Sequence, residues 1–382
     1  MTNIYLDYAA TTPVDPRVLE VMLPFFSTHY GNPASRQHGS GDYAHSAVER
    51  ARTQVATALG ADPREIVWTS GATECDNLAL QGVAFSPYYT RRGNHVITVA
   101  TEHKAVLDCC AWLETRGMDV TYLSVDAMGQ IDLEELAAAI TPSTILVSVM
   151  HGNNETGILQ PIGKIGALCR EKGVLFHTDA TQSFGKVPID VEGDCIDLLS
   201  LSAHKIYGPK GVGALYVRRK GPRVRCVPLQ HGGGHERGLR SGTLNVPGIV
   251  GLGAAAKWAL EEQAEAEARV AGLRDYLESE LMARLDVCRN GHGVERLAGF
   301  ASLSFAQVNA DQLMKAIPEI HVSTRSACTS AVRQPSYVLA AMGCDDERMA
   351  GSIRFSLGRM TTAAEVDVVV ARIVEALSRG LH

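Results

Sequence analysis

Between about residue 60 and residue 220, short β-branched runs alternate with longer stretches of helical spacing, and this alternation constrains the fold more than any other feature. Ile66-Val67-Trp68, His95 to Val99, Thr144 to Val149 and Val174 to His177 read as buried strands, with the apolar run Asp197 to Leu201 as a further one. Between them, Glu74 to Gln81, Ala105 to Thr115, Leu133 to Ile140 and Pro161 to Lys172 carry helical periodicity. Parallel strands need long crossover connections, and helices supply them. The pattern therefore predicts an α/β fold, a mostly parallel sheet flanked by helices.

The Gly-rich stretch His231-Gly232-Gly233-Gly234-His235-Glu236 breaks the alternation. Beyond it, Pro247 to about Leu285 reads as one or two long helices, and Phe300 to Phe305, His321 to Thr324 and Ser352 to Phe355 read as strands. A chain of 382 residues exceeds one ordinary core, so two domains are expected. The division predicted is a large domain over 16–260 and a smaller α+β domain made of 1–15 and 261–382.

Charge and cysteine usage exclude several classes. A net charge of −6 supplies no basic field for nucleic acid. No run approaches eighteen uninterrupted apolar residues, which excludes a spanning helix. The first residues, MTNIYLDYAATTP, lack the basic and apolar regions of a signal peptide, so a cytoplasmic location is expected. The nine cysteines are scattered, odd in number and without a C-x-x-C pair, which argues against a disulfide framework or a zinc site. Eight of them read as small buried hydrophobes. Cys328 differs: it lies in the small, polar segment Ser323 to Ser330, a loop-like setting in which a thiol can be exposed, with Arg325 near enough to favour the thiolate.

Three strand ends concentrate polar residues, and ligands of parallel sheets sit at such ends. Thr69-Ser70-Gly71-Ala72-Thr73-Glu74 runs from strand into helix, where backbone N–H groups suit a phosphate; the same residues also suit an ordinary capping box. Asp179, in His177 to Gln182, ends a buried strand and needs a cation or donor, such as a pyridinium nitrogen, unless it caps a helix. Lys205, in Ser202-Ala203-His204-Lys205-Ile206-Tyr207-Gly208-Pro209-Lys210-Gly211, has the short polar surround that suits a Schiff base; Lys210, inside the turn, is expected to face solvent.

Those segments resemble a known family. Together with Tyr5 to Pro13, His103 of Thr101-Glu102-His103, the NNETG at 153–157, the GGGHERGLRSGT at 232–243 and the SACTS at 326–330, they look like a class V, fold-type I pyridoxal-phosphate enzyme. More narrowly, they resemble cysteine desulfurases of the NifS/IscS type, over residues 4 to about 360.

The resemblance implies roles at matching positions. Lys205 would carry pyridoxal 5′-phosphate and move the substrate's Cα proton, Asp179 would pair with the ring nitrogen, and Gln182 would meet the ring hydroxyl. His103 would lie on the ring face and shuttle protons. Thr73, Ser202 and His204, with the Ala72 backbone, would hold the phosphate. Thr243 would reach the phosphate of a neighbouring subunit, implying a homodimer. Asn154 and Arg354 would bind the carboxylate of L-cysteine, and Cys328 would take its sulfur as a persulfide, releasing L-alanine, for transfer to an acceptor. A selenocysteine lyase or aminotransferase of the same fold is the alternative; it has no need of Cys328.

Two departures stand out. Long-loop relatives have Ser-Gly-Ser-Ala-Cys-Thr-Ser around the nucleophile, and Arg325 here replaces the glycine, which is expected to alter the loop and to tune thiolate formation or acceptor choice. The helix expected from about Thr362 to Arg379 is followed only by Gly-Leu-His, without the scaffold-docking tail of housekeeping relatives. Of the acceptors open to such enzymes, in iron–sulfur assembly, tRNA thiolation or DNA phosphorothioation, this favours a dedicated one such as a phosphorothioation system.

Overall fold

A computed structural model describes residues 3–291, 293–324 and 335–379. In chain order the strands are β1 (Ile4–Tyr5), β2 (Ile66–Thr69), β3 (His95–Val99), β4 (Asp119–Leu123), β5 (Thr144–Ser148), β6 (Leu175–Asp179), β7 (Leu198–Ser202), β8 (Gly213–Val217), β9 (Val287–Arg289), β10 (Phe300–Phe305), β11 (Ile320–His321) and β12 (Ser352–Ser356). Seven form one sheet in the order β2-β8-β7-β6-β5-β3-β4. All are parallel except β8, which returns antiparallel between β7 and β2. The α/β reading therefore holds, with one reversed strand. β8 can reverse because its link from β7, residues 203–212, is a short loop that turns at Gly-Pro-Lys-Gly rather than a crossover helix.

Both faces of this sheet are buried. Phe176, Ile97, Val147 and Leu199 pack on one side against Val55 and Leu252, and Leu175, Val96 and Leu146 pack on the other against Leu78 and Val106. Alternate residues of each strand thus feed two cores, which is why the central strands read as continuous apolar runs. β4, at the sheet edge, has only Leu123 buried and so carries no such run.

The stretch read as one or two helices is a single helix, Val246–Arg284. Its first half packs on the Gly39–Leu59 helix in the first core, and its second half supplies Val270, Leu277 and Leu281 to another. That other core joins Ile4 and Leu6 to β10, β12 and the Ala363–Ser378 helix. The first residues reach it because β1 pairs in parallel with β11, Ile4 opposite Ile320. No helix among the described residues is long and apolar enough to cross a membrane.

Candidate active site

The carboxyl ends of β2, β3, β5, β6 and β7 open into one cleft. It is lined by Ala72 and Thr73 after β2, His103 after β3, Asn154 after β5, Asp179 and Gln182 at and after β6, and Ser202, His204 and Lys205 at and after β7. Arg354 enters from β12, and Ala9 to Thr11 close one side. Sequence reasoning named ten of these lining residues, drawn from six strands and far apart in the chain.

At the end formed by Ala72 and Thr73, the Ala72–Ala84 helix starts after Gly71, whose φ is +155° and whose position offers no side-chain cap. β8 allows the loop this close because its first residue is glycine: a Cβ on Gly213 would fall 2.8 Å from Gly71 Cα. Half of the capping box exists, since Ser70 N donates to Glu74 Oε2 at 2.7 Å, but no hydroxyl accepts from the first turn. The orphan N–H groups of that turn are what an anion takes up. Burial, with Lys205, Lys210 and Lys186 adding to it, pushes His204 down to about 4, so its imidazole is neutral at pH 7. Its Nδ1 lies 3.1 Å from Thr11 Oγ1.

Lys205 Nζ donates to the carbonyls of Ala9, at 2.5 Å, and Ala10, at 2.9 Å. Lys210 is exposed, as its place in the turn predicts. Asp179 is buried and accepts from Thr181 N at 2.8 Å, and no helix follows for it to cap. Gln182 Nε2 donates to Ala9 O at 2.9 Å, which leaves its buried Oε1 without a partner. His103 Nδ1 accepts from Ala105 N at 3.1 Å, so a neutral ring carries its proton on Nε2.

At the Arg354 end, Nη1 donates to Asn154 O at 2.7 Å and Nη2 to Asp7 Oδ1 at 2.6 Å. Arg354 Nε and Asn154 Oδ1 are buried and unpartnered. Buried polar atoms are normally satisfied, so three such orphans around one cleft mark the place of a polar ligand. Ala9 and Ala10, which hold the lysine, and Asp7, which holds the arginine, were not singled out in the sequence. Their motif, Tyr5 to Pro13, was its only signal.

One expected residue among the described ones does not line the cleft. Thr243 is exposed, beyond the glycine-rich turn. Cys328, with Arg325, lies outside the described residues. The described residues flanking that segment meet the cleft wall: Ser323 exchanges backbone hydrogen bonds with Arg354, and Ser336 Oγ donates to Glu155 Oε2 at 2.5 Å. Of the other cysteines, Cys75, Cys109, Cys110 and Cys169 are buried, Cys195, Cys226 and Cys344 are partly so, and Cys288 is exposed, against the expectation of burial. Cys288 stands on β9, at the edge of its sheet. Burial raises the thiols of Cys109 to about 11 and of Cys169 and Cys226 to about 12, which keeps them protonated and unreactive.

The aminotransferase class-V model matches residues 4–369. The chain belongs to that family. A cysteine desulfurase IscS of Anaeromyxobacter dehalogenans is 57% identical over 96% of this chain and 90% of its own length. Among solved structures, a NifS-like protein superposes with a TM-score of 0.92 at 42% identity, covering 99% of this chain and 100% of the other. SspA in complex with cysteine superposes at 0.83 with 41% identity, over 94% of this chain and 100% of the other. With curated relatives at this identity over nearly the full length, the reaction class of this class-V enzyme is cysteine desulfuration.

Class-V enzymes of this kind depend on pyridoxal phosphate, and the cleft suits that group. A lysine and a buried carboxylate line the same cleft, a glycine-started helix with an uncapped first turn supplies an anion site, and the unpartnered Gln182 Oε1 offers an acceptor to a ring hydroxyl.

Proposed function

We propose that this enzyme uses pyridoxal 5′-phosphate held on Lys205 to remove sulfur from L-cysteine and that Cys328 carries the sulfur onward as a persulfide. The observation that carries this reading is the meeting of Lys205, Asp179 and Arg354 in one cleft where buried Gln182 Oε1, Asn154 Oδ1 and Arg354 Nε lack hydrogen-bond partners. When bound, the cofactor supplies an electron sink for the bonds broken at the substrate.

The chain's own residues do the rest. The helix start at Ala72–Thr73, Ser202 and neutral His204 hold the phosphate, and the Asp179 carboxylate keeps the ring nitrogen protonated. Asn154 and the Nε edge of Arg354 orient the substrate carboxylate, since a guanidinium matches it in a fork. Lys205 Nζ moves the Cα proton, and His103 Nε2 shuttles protons at the mouth. The Cys328 thiolate attacks the substrate sulfur; the new S–S bond forms as the C–S bond breaks, and its electron pair leaves with the carbon skeleton, which departs as alanine after protonation.

In this reading residues 16–260 form the large cofactor-binding domain, and 1–15 and 261–382 form the small domain whose sequence contains Arg354 and Cys328. A homodimer fits the exposed Thr243 and the apolar side chains Leu23, Phe26 and Tyr30, 55%, 62% and 78% exposed on one short segment. The persulfide then passes to an acceptor of iron–sulfur assembly, tRNA thiolation or DNA phosphorothioation. The test is Lys205→Ala: purified wild-type enzyme shows the visible absorbance of lysine-bound cofactor and releases alanine from cysteine, and the variant shows neither. A variant that still releases alanine at the wild-type rate overturns the assignment of Lys205.

A further inference from the structure

Below the cleft floor, between the sheet and the Ala72–Ala84 helix, lies a cluster of buried polar side chains that the proposed chemistry does not use. Asp76, on the helix, is 0% exposed, and neither of its carboxyl oxygens has a hydrogen-bond partner. Facing it are His177 Nε2, 3.7 Å from Asp76 Oδ1, and the Ser200 hydroxyl. His177 on β6 is itself 0% exposed and spans two strands: Nδ1 lies 2.8 Å from Ser148 Oγ on β5, and Nε2 lies 3.0 Å from Ser200 Oγ on β7. Asp179 is two residues farther along β6, on the same face of the strand. A third carboxyl, Glu102, is also fully buried; its Oε1 accepts from Met150 N at 2.5 Å and its Oε2 has no partner.

No lysine or arginine among the described residues forms an ion pair with Asp76 or Glu102. An ionised carboxylate so placed is costly, and a second one beside Asp179 costs more, because like charges in a shared low-dielectric site compete for one proton. Burial, and then the Asp179 charge, raise Asp76 well above the usual carboxylate range, and the same two causes raise Glu102. Burial pushes His177 down to about 3 and holds the adjacent Cys75 thiol protonated. The groups facing Asp76 are therefore a neutral imidazole, a serine hydroxyl, the charge of Asp179 and the Glu102 carboxyl. A neutral carboxyl has one O–H to donate, and His177 Nε2 and Ser200 Oγ are the acceptors in front of it.

We propose that Asp76 is a positioning residue: as a neutral acid it presents its O–H to the His177–Ser200 pair, steadies the β6–β7 floor on which Asp179 stands, and leaves Asp179 as the carboxylate charge that faces the cofactor's ring nitrogen. The proposal deepens the reading of Asp179 given above and rests on it. Ionised Asp76 would compete with Asp179 for charge and weaken its hold on the ring proton. Neutral Asp76 instead orders the imidazole between two hydroxyls one turn of pleat below the site.

Two measurements on the full-length enzyme test this. In the infrared spectrum at pH 7, Asp76→Asn removes a protonated-carboxyl C=O band; an unchanged band shows that Asp76 is ionised and overturns the proposal. The pH titration of the visible absorbance of the cofactor-loaded enzyme is the second. Asp76→Asn, which keeps a neutral donor of the same shape, leaves the midpoint in place, and Asp76→Leu, or Asp76→Val where the leucine variant does not fold, moves it by about half a unit or more. An apolar variant that titrates like the wild type overturns the positioning role. Asp179→Asn separates this from its premise: if Asp179→Asn also leaves the titration unchanged, the ring-nitrogen reading fails, whereas a shift there with none in the apolar Asp76 variant sinks only the present inference.

Discussion

Arg354→Lys keeps the positive charge of the cleft and removes the fork, so it isolates the geometry of carboxylate binding. A guanidinium has five N–H donors. In the structure, one from Nη1 goes to Asn154 O and one from Nη2 to Asp7 Oδ1, and the Nε–H remains unpartnered. The substrate carboxylate can therefore take Nε and the second hydrogen of Nη2 without displacing either protein bond. A lysine has a single nitrogen; if it keeps Asp7, it cannot also meet both carboxylate oxygens. The loss is one charge-assisted hydrogen bond, about 1.5–3 kcal/mol, or about 10- to 150-fold in kcat/KM for L-cysteine. The carboxylate does not change charge during the reaction, so the contact is equal in ground and transition states and the effect falls mainly on KM. The assay is steady-state alanine release, with the visible absorbance of bound cofactor confirming a folded, loaded site. A loaded variant whose kcat/KM stays within about twofold of wild type refutes the assignment of Arg354 to the substrate carboxylate.

Two other perturbations probe the scaffold. His151 follows β5, is buried with Nδ1 unpartnered, and is pushed down to about 4 by burial alone. Its folded value lies below its unfolded one, so the unfolded chain binds the extra proton and stability falls as pH drops from about 6.5 toward 4; His151→Gln should flatten the slope of unfolding free energy in that window by about 1.4 kcal/mol per pH unit, and parallel denaturation curves at pH 7 and pH 5 would contradict it. Glu236 accepts two bonds from buried Arg52, at 2.7 and 2.8 Å, and one from Trp68 N at 2.9 Å, tying the glycine-rich turn to the free edge of β2. Glu236→Gln strands the Arg52 charge and should cost about 3 kcal/mol in urea denaturation, at the low end for a broken buried pair because Glu49 still meets Arg52; a loss under about 0.5 kcal/mol would show the pair to be dispensable.

Much of the fold was legible because the central strands are buried on both faces and therefore apolar throughout. His95 to Val99 and Phe300 to Phe305 are found with the bounds their sequence predicts. The strand read as Val174 to His177 extends to Asp179, because its last residues are polar for the sake of the cleft rather than the core. The Gly39–Leu59 helix and β4 were not read at all: the first has a long alanine- and charge-rich pattern outside the alternating region, and the second is an exposed edge strand. The reversal of β8 depends on a turn, which hydrophobic periodicity does not report.

The cleft was legible as motifs and not as contacts. Lys205, Asp179 and His204 stand in recognisable strand-end segments. The carbonyls of Ala9 and Ala10 that receive Lys205 come from a strand-free stretch almost two hundred residues away, and nothing in spacing links the two. Asp76 was hidden for a different reason. Within the helical pattern it occupies a position that looks like an ordinary polar residue, and only packing shows it to be dry and unpaired.

The most direct test of the account is mass spectrometry of the purified enzyme after incubation with L-cysteine, with alanine measured in parallel. The account predicts one added sulfur on the peptide that contains Cys328, absent in Cys328→Ser and in Lys205→Ala, with alanine release lost in both variants. Alanine released at the wild-type rate by Cys328→Ser, or sulfur added to a peptide carrying Cys288 instead, would contradict the assignment of the nucleophile.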